Sequence, residues 1–351
     1  MAVMYLMEKV DIAIAGGGPA GLTLAKNLAE AGVSFVLLED HKDFFQKPCG
    51  EGLCRVAHGV NMIELHGSKA GFENEIESCT IYINQEPLKT LEWSGYTLDK
   101  QAFEKDMYRQ AVKSGGDMRL GQKIEAFEKT ADGILIKPQG IKCKCLVGCD
   151  GTFSKARGFF GQKIEGMVFA VAAYEQKKGK DTDLKLYLGK GIVDRGYAWR
   201  FPKKSTYNVG VGSTMKEAVM PSYERLFKAK GPRGAFIPYG LPCKTYFDSG
   251  ILIGDAAGQA DSLTGGGIDY SMIASKLAAG VLIKLAKSGK PFSEENLREY
   301  EKLWRKAIYK PIRNDYILGK LLLASGIYKH ELLVRKLSGV LDVAGNAFKK
   351  L

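Results

Sequence analysis

The hydrophobic rhythm of the chain changes several times. The run Val10-Asp-Ile-Ala-Ile-Ala leads into three glycines, Leu22, Ala25 and Leu28 then recur at helical spacing, and residues 35–38 are apolar without a break. That succession predicts strand, turn, helix and strand, followed by the acid Glu39. A polar connection (41–46) runs into the turn-forming Lys47-Pro48-Cys49-Gly50-Glu51-Gly52-Leu53-Cys54. Residues 60–95 switch to period-two alternation, as in 80–83 and 88–93, which predicts short strands. Residues 99–112 place Phe103, Met107 and Ala111 on one helical face. Strands are expected at 134–136 and 143–147, and from Gly166 to Gly212 the alternation predicts an antiparallel sheet with strands near 169–174, 184–188, 197–201 and 207–211. The β–α alternation then resumes with a buried strand over 250–255 and a long helix over 267–286, and the last sixty residues read as helical and basic.

A dinucleotide-type unit interrupted by an antiparallel sheet implies interleaved domains. The expected fold class is α/β, a Rossmann-type nucleotide-binding domain interleaved with an antiparallel β-sheet substrate domain and C-terminal helices. The expected division is 1–75 with 97–160 and 245–290 for the nucleotide domain, 76–96 with 161–244 for the sheet domain, and 291–351 for the helical region.

Composition sharpens this only a little. With 351 residues, 45% apolar and 26% charged, the chain has an ordinary globular make-up. No apolar run approaches the length of a transmembrane helix, and residues 1–7 run directly into the first strand, so no signal peptide is expected. Seven cysteines do not form a disulfide framework and point to a reducing cytoplasm. The net charge of +12 fits a solvated lysine-rich surface, an anionic membrane face or an acidic protein partner. No aromatic-basic module for nucleic acid is present, which excludes that class.

The first glycine turn, Gly16-x-Gly18-x-x-Gly21, carries specific chemistry. Gly16 permits a tight turn, Gly18 lets backbone N–H groups approach a pyrophosphate, and Gly21 lets the helix pack closely on the strand. The phosphates of the ligand would sit at the positive end of the helix, and Glu39 is placed to accept hydrogen bonds from the adenosine ribose. Early placement of the motif is usual for FAD but does not by itself exclude NAD. A second anchor is Gly254-Asp255-Ala256-Ala257-Gly258 followed by Thr264-Gly265-Gly266-Gly267-Ile268. Its carboxylate suits a polyol hydroxyl, and the glycines at 265–267 open a helix whose N–H groups suit an anionic flavin edge. In Gly196-Tyr-Ala-Trp-Arg-Phe-Pro202, strand geometry sends Tyr197, Trp199 and Phe201 to one face and Ala198 and Arg200 to the other. The three rings make an apolar wall about 13 Å long, at roughly 3.3 Å per residue. An ordinary core stripe is the alternative.

Taken together and in order, GGGPAG with Glu39, KPCG at 47–50, CDGTFSKAR at 149–157, GYAWRFP at 196–202 and GDAAG…LTGGGI at 254–268 resemble the geranylgeranyl reductases over roughly residues 9 to 310. GYAWRFP is the most specific element, since it is similar to that family's YxWxFP signature. The resemblance implies the fold of aromatic flavin hydroxylases, bound FAD, and saturation of C=C bonds in an isoprenoid chain. It implies that Gly16, Gly18, Pro19, Ala20, Gly21, Glu39 and Asp40 hold the ADP half, and that Gly254 and Asp255 hold the ribitol. It implies further that Gly265, Gly266, Gly267 and Ile268 line the flavin ring with Cys49 near it, that Asp150, Gly151 and Arg157 match the family's DG motif near the pyrophosphate, and that Gly50 and Lys100 also contact the cofactor. Tyr197, Trp199, Phe201 and Pro202 would line the substrate cavity. The chain departs from the pattern at Ser262 and Asp194, where proline is usual, and at Lys100, where arginine is usual; the first two departures are expected to loosen turns near the flavin.

Reducing an isolated alkene requires a proton as well as a hydride, and exclusion of water. The resemblance makes Cys49 the catalytic candidate, with the reduced flavin as the other proton source. Cys49 and Cys54, spaced C-x4-C, also admit a redox disulfide or simple burial. Cys143, Cys145 and Cys149 fall on one strand face without a fourth ligand and read as core, so no metal is expected. His41, His58, His66 and His330 do not cluster. NADPH or ferredoxin is the expected external donor, a prenyl lipid the substrate. Arg305, Lys306, Lys310, Arg313 and Lys320 beside 321–323 and Ile327 suggest peripheral contact with an anionic inner membrane face. The rival functions are a flavin hydroxylase of an apolar substrate and a non-enzymatic flavin electron carrier or redox sensor.

Overall fold

A computed structural model describes residues 8–325. The expectations placed on residues 1–7, Ile327 and His330 lie outside the described residues. Two eight-stranded sheets dominate. In the first, the order Tyr246–Phe247, Gly250–Leu252, Ile141–Gly148, Glu8–Ala15, Phe35–Glu39, Asp117–Leu120 is parallel except for the outermost Tyr246–Phe247, and the hairpin of Ala126–Thr130 and Gly133–Lys137 adds to Ile141–Gly148.

Helices Pro19–Glu30, Lys100–Lys113 and Ile268–Ser288 cover one face. There Ile12, Ile14 and Leu37 of the strands pack with Leu22, Leu28, Met107 and Met272, all 0% exposed. These are the apolar positions whose helical and continuous spacing is visible in the sequence. The opposite face buries Ala13, Val36 and Leu38 under Ile134 and Ile136. Cys145 and Cys149 belong to the first cluster and Cys143 to the second, where the hairpin joins the twisted start of its strand. All three cysteines are free and buried. The expectation that they share one face therefore fails.

The second sheet runs Arg233–Tyr239, Gly166–Gln176, Thr206–Ser213, Gly196–Pro202, Asp183–Leu188, Phe72–Ile83, Glu86–Leu98, Gly52–Cys54. Its pairings are antiparallel with one exception, Asp183–Leu188 beside Phe72–Ile83 in parallel register, Asp183 opposite Ser78. The two strands come from separate excursions of the chain, one before the Lys100–Lys113 helix and one after it, and enter the sheet from the same end. Helix Lys216–Leu226 covers the outer face through Val219 and Tyr223 against Val171, Ala173, Val209 and Val211. The other face is left toward the first domain.

A second difference concerns the 250–255 segment. The strand stops at Leu252, and Gly254, at φ +67°, turns the chain into a short 3-10 helix, Gly254–Ala257, so Asp255 sits on that turn rather than at a strand tip. Beyond it, Ile268–Ser288, Glu294–Trp304, a π-helical turn at Arg305–Tyr309 and Lys310–Ser325 close the described structure. No helix among the described residues is long and apolar enough to cross a membrane.

Candidate active site

Between the two sheets lies one cavity of about 1120 Å³, at or above the upper end of the roughly 300–1,000 Å³ typical of small-molecule sites. Its first arm is lined by Gly16, Gly17, Gly18, Pro19, Ala20, Glu39 and Asp40. Here the glycines act by contact. A Cβ on Gly16 would lie 2.4 Å from the Cys149 carbonyl oxygen, and one on Gly21 would lie 1.9 Å from the Gly16 carbonyl oxygen. Gly18 faces open space within 4 Å, the room a ligand needs. Glu39 accepts a hydrogen bond from the Gly17 N–H at 2.6 Å and another from the His41 N–H at 3.0 Å. The acid that a bound ribose would meet is therefore already oriented.

The helix starts at Pro19 and at Ile268 both border this cavity, and neither has a side-chain cap. Their first-turn N–H groups are unsatisfied donors with partial positive charge. The two donor sets are neighbours, since Ala20 and Ser271 both flank Gly254 and the Ser275 hydroxyl donates to the Ala20 carbonyl at 2.8 Å, and together they suit a pyrophosphate and an anionic ring edge.

Asp255 lies between them. It pairs with the Lys47 ammonium and accepts from the Thr152 hydroxyl at 3.1 Å. Thr152 also donates to the Phe236 carbonyl at 2.8 Å, which ties this point to the second sheet. Asp150 lines the cavity, but its carboxylate accepts from the Ala156 N–H at 3.0 Å and from the Ser154 hydroxyl, capping the short helix Lys155–Phe159. Arg157 is buried and donates to the carbonyls of Thr152 at 2.6 Å and Ala256 at 3.3 Å, bracing two loops. Gly151 and Lys100 line the cavity; Arg157, Gly21, Gly254 and Pro202 do not. The Pro202 carbonyl is instead bound by the Thr97 hydroxyl at 2.7 Å and the Asn74 amide at 3.1 Å.

The second arm is apolar. Tyr197, Trp199 and Phe201 form its wall with Cys79, Ile81, Leu184 and Leu186, while Leu318, Leu322 and Leu323 line it from the 310–325 helix. Successive ring centroids are 5.9 and 6.4 Å apart. The Trp199 ring lies over Gly210, where a Cβ would come within 2.1 Å of Cζ2. Where the arms meet, Gly50 presses on this wall, its Cβ position 3.3 Å from Phe201. The Tyr197 hydroxyl donates to the Thr264 carbonyl, joining the wall to the Gly265–Gly267 loop.

Sequence reasoning missed the polar knot behind this junction. Glu51 is 1% exposed with φ +64°. Its carboxylate accepts from the Lys203 ammonium at 2.9 Å, the Tyr174 hydroxyl at 2.6 Å, the Asn208 amide at 2.9 Å and the Lys100 N–H at 3.2 Å. Asn208 in turn accepts from the Trp199 indole at 2.8 Å and donates to the Cys49 carbonyl at 2.7 Å. The only signal was an acid between two glycines, Gly50 and Gly52. Lys47, in the turn before Cys49, neutralises Asp255.

Cys49 lines the junction, accepts from the Glu51 N–H at 3.3 Å, and is free, as is Cys54. Burial pushes both thiols up, so each stays protonated at neutral pH. Ser262, expected to loosen its turn, instead accepts from the Gly240 N–H at 3.1 Å and donates to its carbonyl at 3.2 Å, replacing proline's rigidity with two hydrogen bonds.

The FAD binding domain family matches residues 9–176. The chain is 29% identical to digeranylgeranylglycerophospholipid reductase of Methanococcus vannielii over 341 residues, covering 88% of this chain and 86% of that protein. It is similar in structure to a geranylgeranyl bacteriochlorophyll reductase-like protein of Thermoplasma acidophilum (TM-score 0.81, 22% identity, 90% of this chain and 88% of that one). A probable FAD-dependent monooxygenase of Pseudomonas aeruginosa shares the fold at TM-score 0.72 and 18% identity, over 95% of this chain and all of that one. With a dinucleotide cradle in place, the chain carries an FAD binding domain over residues 9–176 and is similar over most of its length to digeranylgeranylglycerophospholipid reductases.

Proposed function

We propose that this protein is an FAD-dependent reductase that saturates C=C bonds in the geranylgeranyl chains of a digeranylgeranylglycerophospholipid or a related prenyl substrate. The observation that carries the reading is the continuity of the glycine-lined cradle and the aromatic arm in one cavity, which brings a flavin edge and an oily chain together. Bound FAD, once reduced, supplies the hydride. Gly16 to Gly18 and Glu39 would hold its nucleotide half, Asp255 and Lys47 its middle, and the Gly265–Gly267 loop its ring. Tyr197, Trp199 and Phe201 align the chain and keep water away from the alkene. Cys49 stands at the junction as a thiol that burial keeps protonated.

The external donor is a nicotinamide nucleotide or ferredoxin, the latter suited to the basic surface. The 310–325 helix supports peripheral lipid contact. It lines the cavity with Leu318 and Leu322 while Ile317 and Leu321 stand 48% and 62% exposed beside Arg313 and Lys320. Flotation on anionic vesicles tests that contact, and binding that ignores lipid charge refutes it.

The decisive experiment is anaerobic. Dithionite-reduced protein mixed with geranylgeranylated phospholipid should reoxidise and yield a product heavier by two hydrogens per bond. Reoxidation only by oxygen, with an oxygenated product, would instead identify a monooxygenase.

A further inference from the structure

The aromatic arm contains two acids that no part of the cradle uses. Asp269, the second residue of the Ile268–Ser288 helix, and Asp315, on the Lys310–Ser325 helix, both line the cavity. They are 8% and 4% exposed. Among the described residues neither is paired with a lysine or arginine, and neither is bound by a side-chain donor. The titratable groups that face them are Asp261, Tyr270 and Cys54.

None of these carries a positive charge, and the Asp269 carboxylate has the backbone N–H groups at the start of its own helix as its donors. Asp261 is 1% exposed, and its own oxygens are taken by the N–H groups of Leu263 at 2.7 Å and Thr264 at 3.2 Å and by the Thr264 hydroxyl at 2.7 Å. The Tyr270 hydroxyl is buried in the same wall without a partner, and its ring lies 4.8 Å from the His58 ring. Burial holds His58 below its ordinary value, hence neutral. Burial, and then the charge of Asp261, pushes Asp315 up to about 7, and burial pushes Asp269 up to about 6. A cation does not explain the pair, because among the described residues the grouping of close potential ligands is Glu39, Asp40 and His41, on the other arm.

We propose that the carboxyls of Asp269 and Asp315 are the proton store of the substrate arm, and that Asp315 delivers the proton to the alkene. The delivery step rests on the reductase reading above. The Asp315 O–H bond breaks and a C–H bond forms at one alkene carbon. The other carbon takes the hydride supplied by reduced FAD, so the two-electron reduction balances. Asp315 is left as carboxylate, recharged from Asp269 and then from water, and the flavin is re-reduced by the external donor.

The test uses the FAD-loaded protein and the variants Asp269→Asn, Asp315→Asn and the double. Asparagine is nearly isosteric with a protonated aspartate, and since a raised carboxyl pKa costs stability above that pKa, each single variant should melt higher than the parent at pH 8. Infrared spectroscopy should show protonated-carboxyl bands that shift in D2O, titrate away near pH 6 and 7, and disappear one by one in the variants. Reoxidation of reduced flavin by geranylgeranylated phospholipid should slow about 10²–10⁴-fold in Asp315→Asn, the range of general-acid contributions, with flavin retention unchanged. Absence of the bands at pH 5 in the parent overturns the proposal, as does native-rate reoxidation in the double variant. Titrating bands in a parent that no prenyl lipid reoxidises would overturn the reductase reading and, with it, the delivery step.

Discussion

The two arms of the cavity are built on opposite principles. The cradle is made of backbone: glycines whose missing Cβ atoms let strand, helix and loop touch, and N–H groups left without caps. The substrate arm is made of side chains, three aromatic rings held by a polar knot behind them and faced by two buried acids without a basic partner among the described residues. A backbone site tolerates almost no change and recognises one ligand type. A side-chain site keeps its shape through hydrogen bonds and can be retuned residue by residue.

That contrast can be broken most violently at Gly21. Gly21→Val should cost more than about 4 kcal/mol, the range reserved for severe steric defects, and purified protein should carry no flavin absorbance. Next in size is Glu51→Ala, which removes one of the two carboxylates paired with the buried Lys203 ammonium and takes the acceptor from the Tyr174 hydroxyl and the Asn208 amide. The loss should be about 3–5 kcal/mol, read by chemical denaturation, and Glu51→Gln with Lys203→Met should recover much of it while leaving FAD binding intact.

A milder probe of the cradle is Glu39→Gln. It weakens the charge-assisted bond from Gly17 and those Glu39 would accept from a bound ribose, so FAD affinity should fall by about 1.5–3 kcal/mol, measured by fluorescence quenching, with a smaller drop in melting temperature of the flavin-free protein. The smallest effect belongs to Trp199→Phe. It removes the indole bond to Asn208 and should cost about 1 kcal/mol, while altering the KM for prenyl lipid and leaving flavin affinity alone. If Trp199→Phe instead released the flavin, the two arms would not be separable.

Much of the cradle was legible because its physics is local. Gly16, Gly18, Gly21 and Glu39 act within one strand–turn–helix–strand unit, where spacing alone brings groups together. The fold class was readable for the same reason, since long periodic runs such as residues 10–15 and 268–288 declare strand and helix. The aromatic wall was visible through alternation in residues 197–201. Glu51, Lys203 and Asn208 were not visible, because their bonds span more than 150 positions and depend on how one sheet docks on the other. Asp315 escaped for the related reason that an acid on a basic helix reads as surface until the helix is seen to roof a cavity. Arg157 and Asp150 matched a motif beside the pyrophosphate, yet the structure uses both to fasten loops.

The single bond from the Tyr197 phenol to the Thr264 carbonyl makes the height of the oily slot and the pose of the ring-binding glycines one variable. A tail too thick for the slot would lift the rings, and through them tug the loop that seats the flavin. Chain fit and hydride reach would then be set together, which gives this scaffold a way to reject the wrong lipid at the moment of reaction.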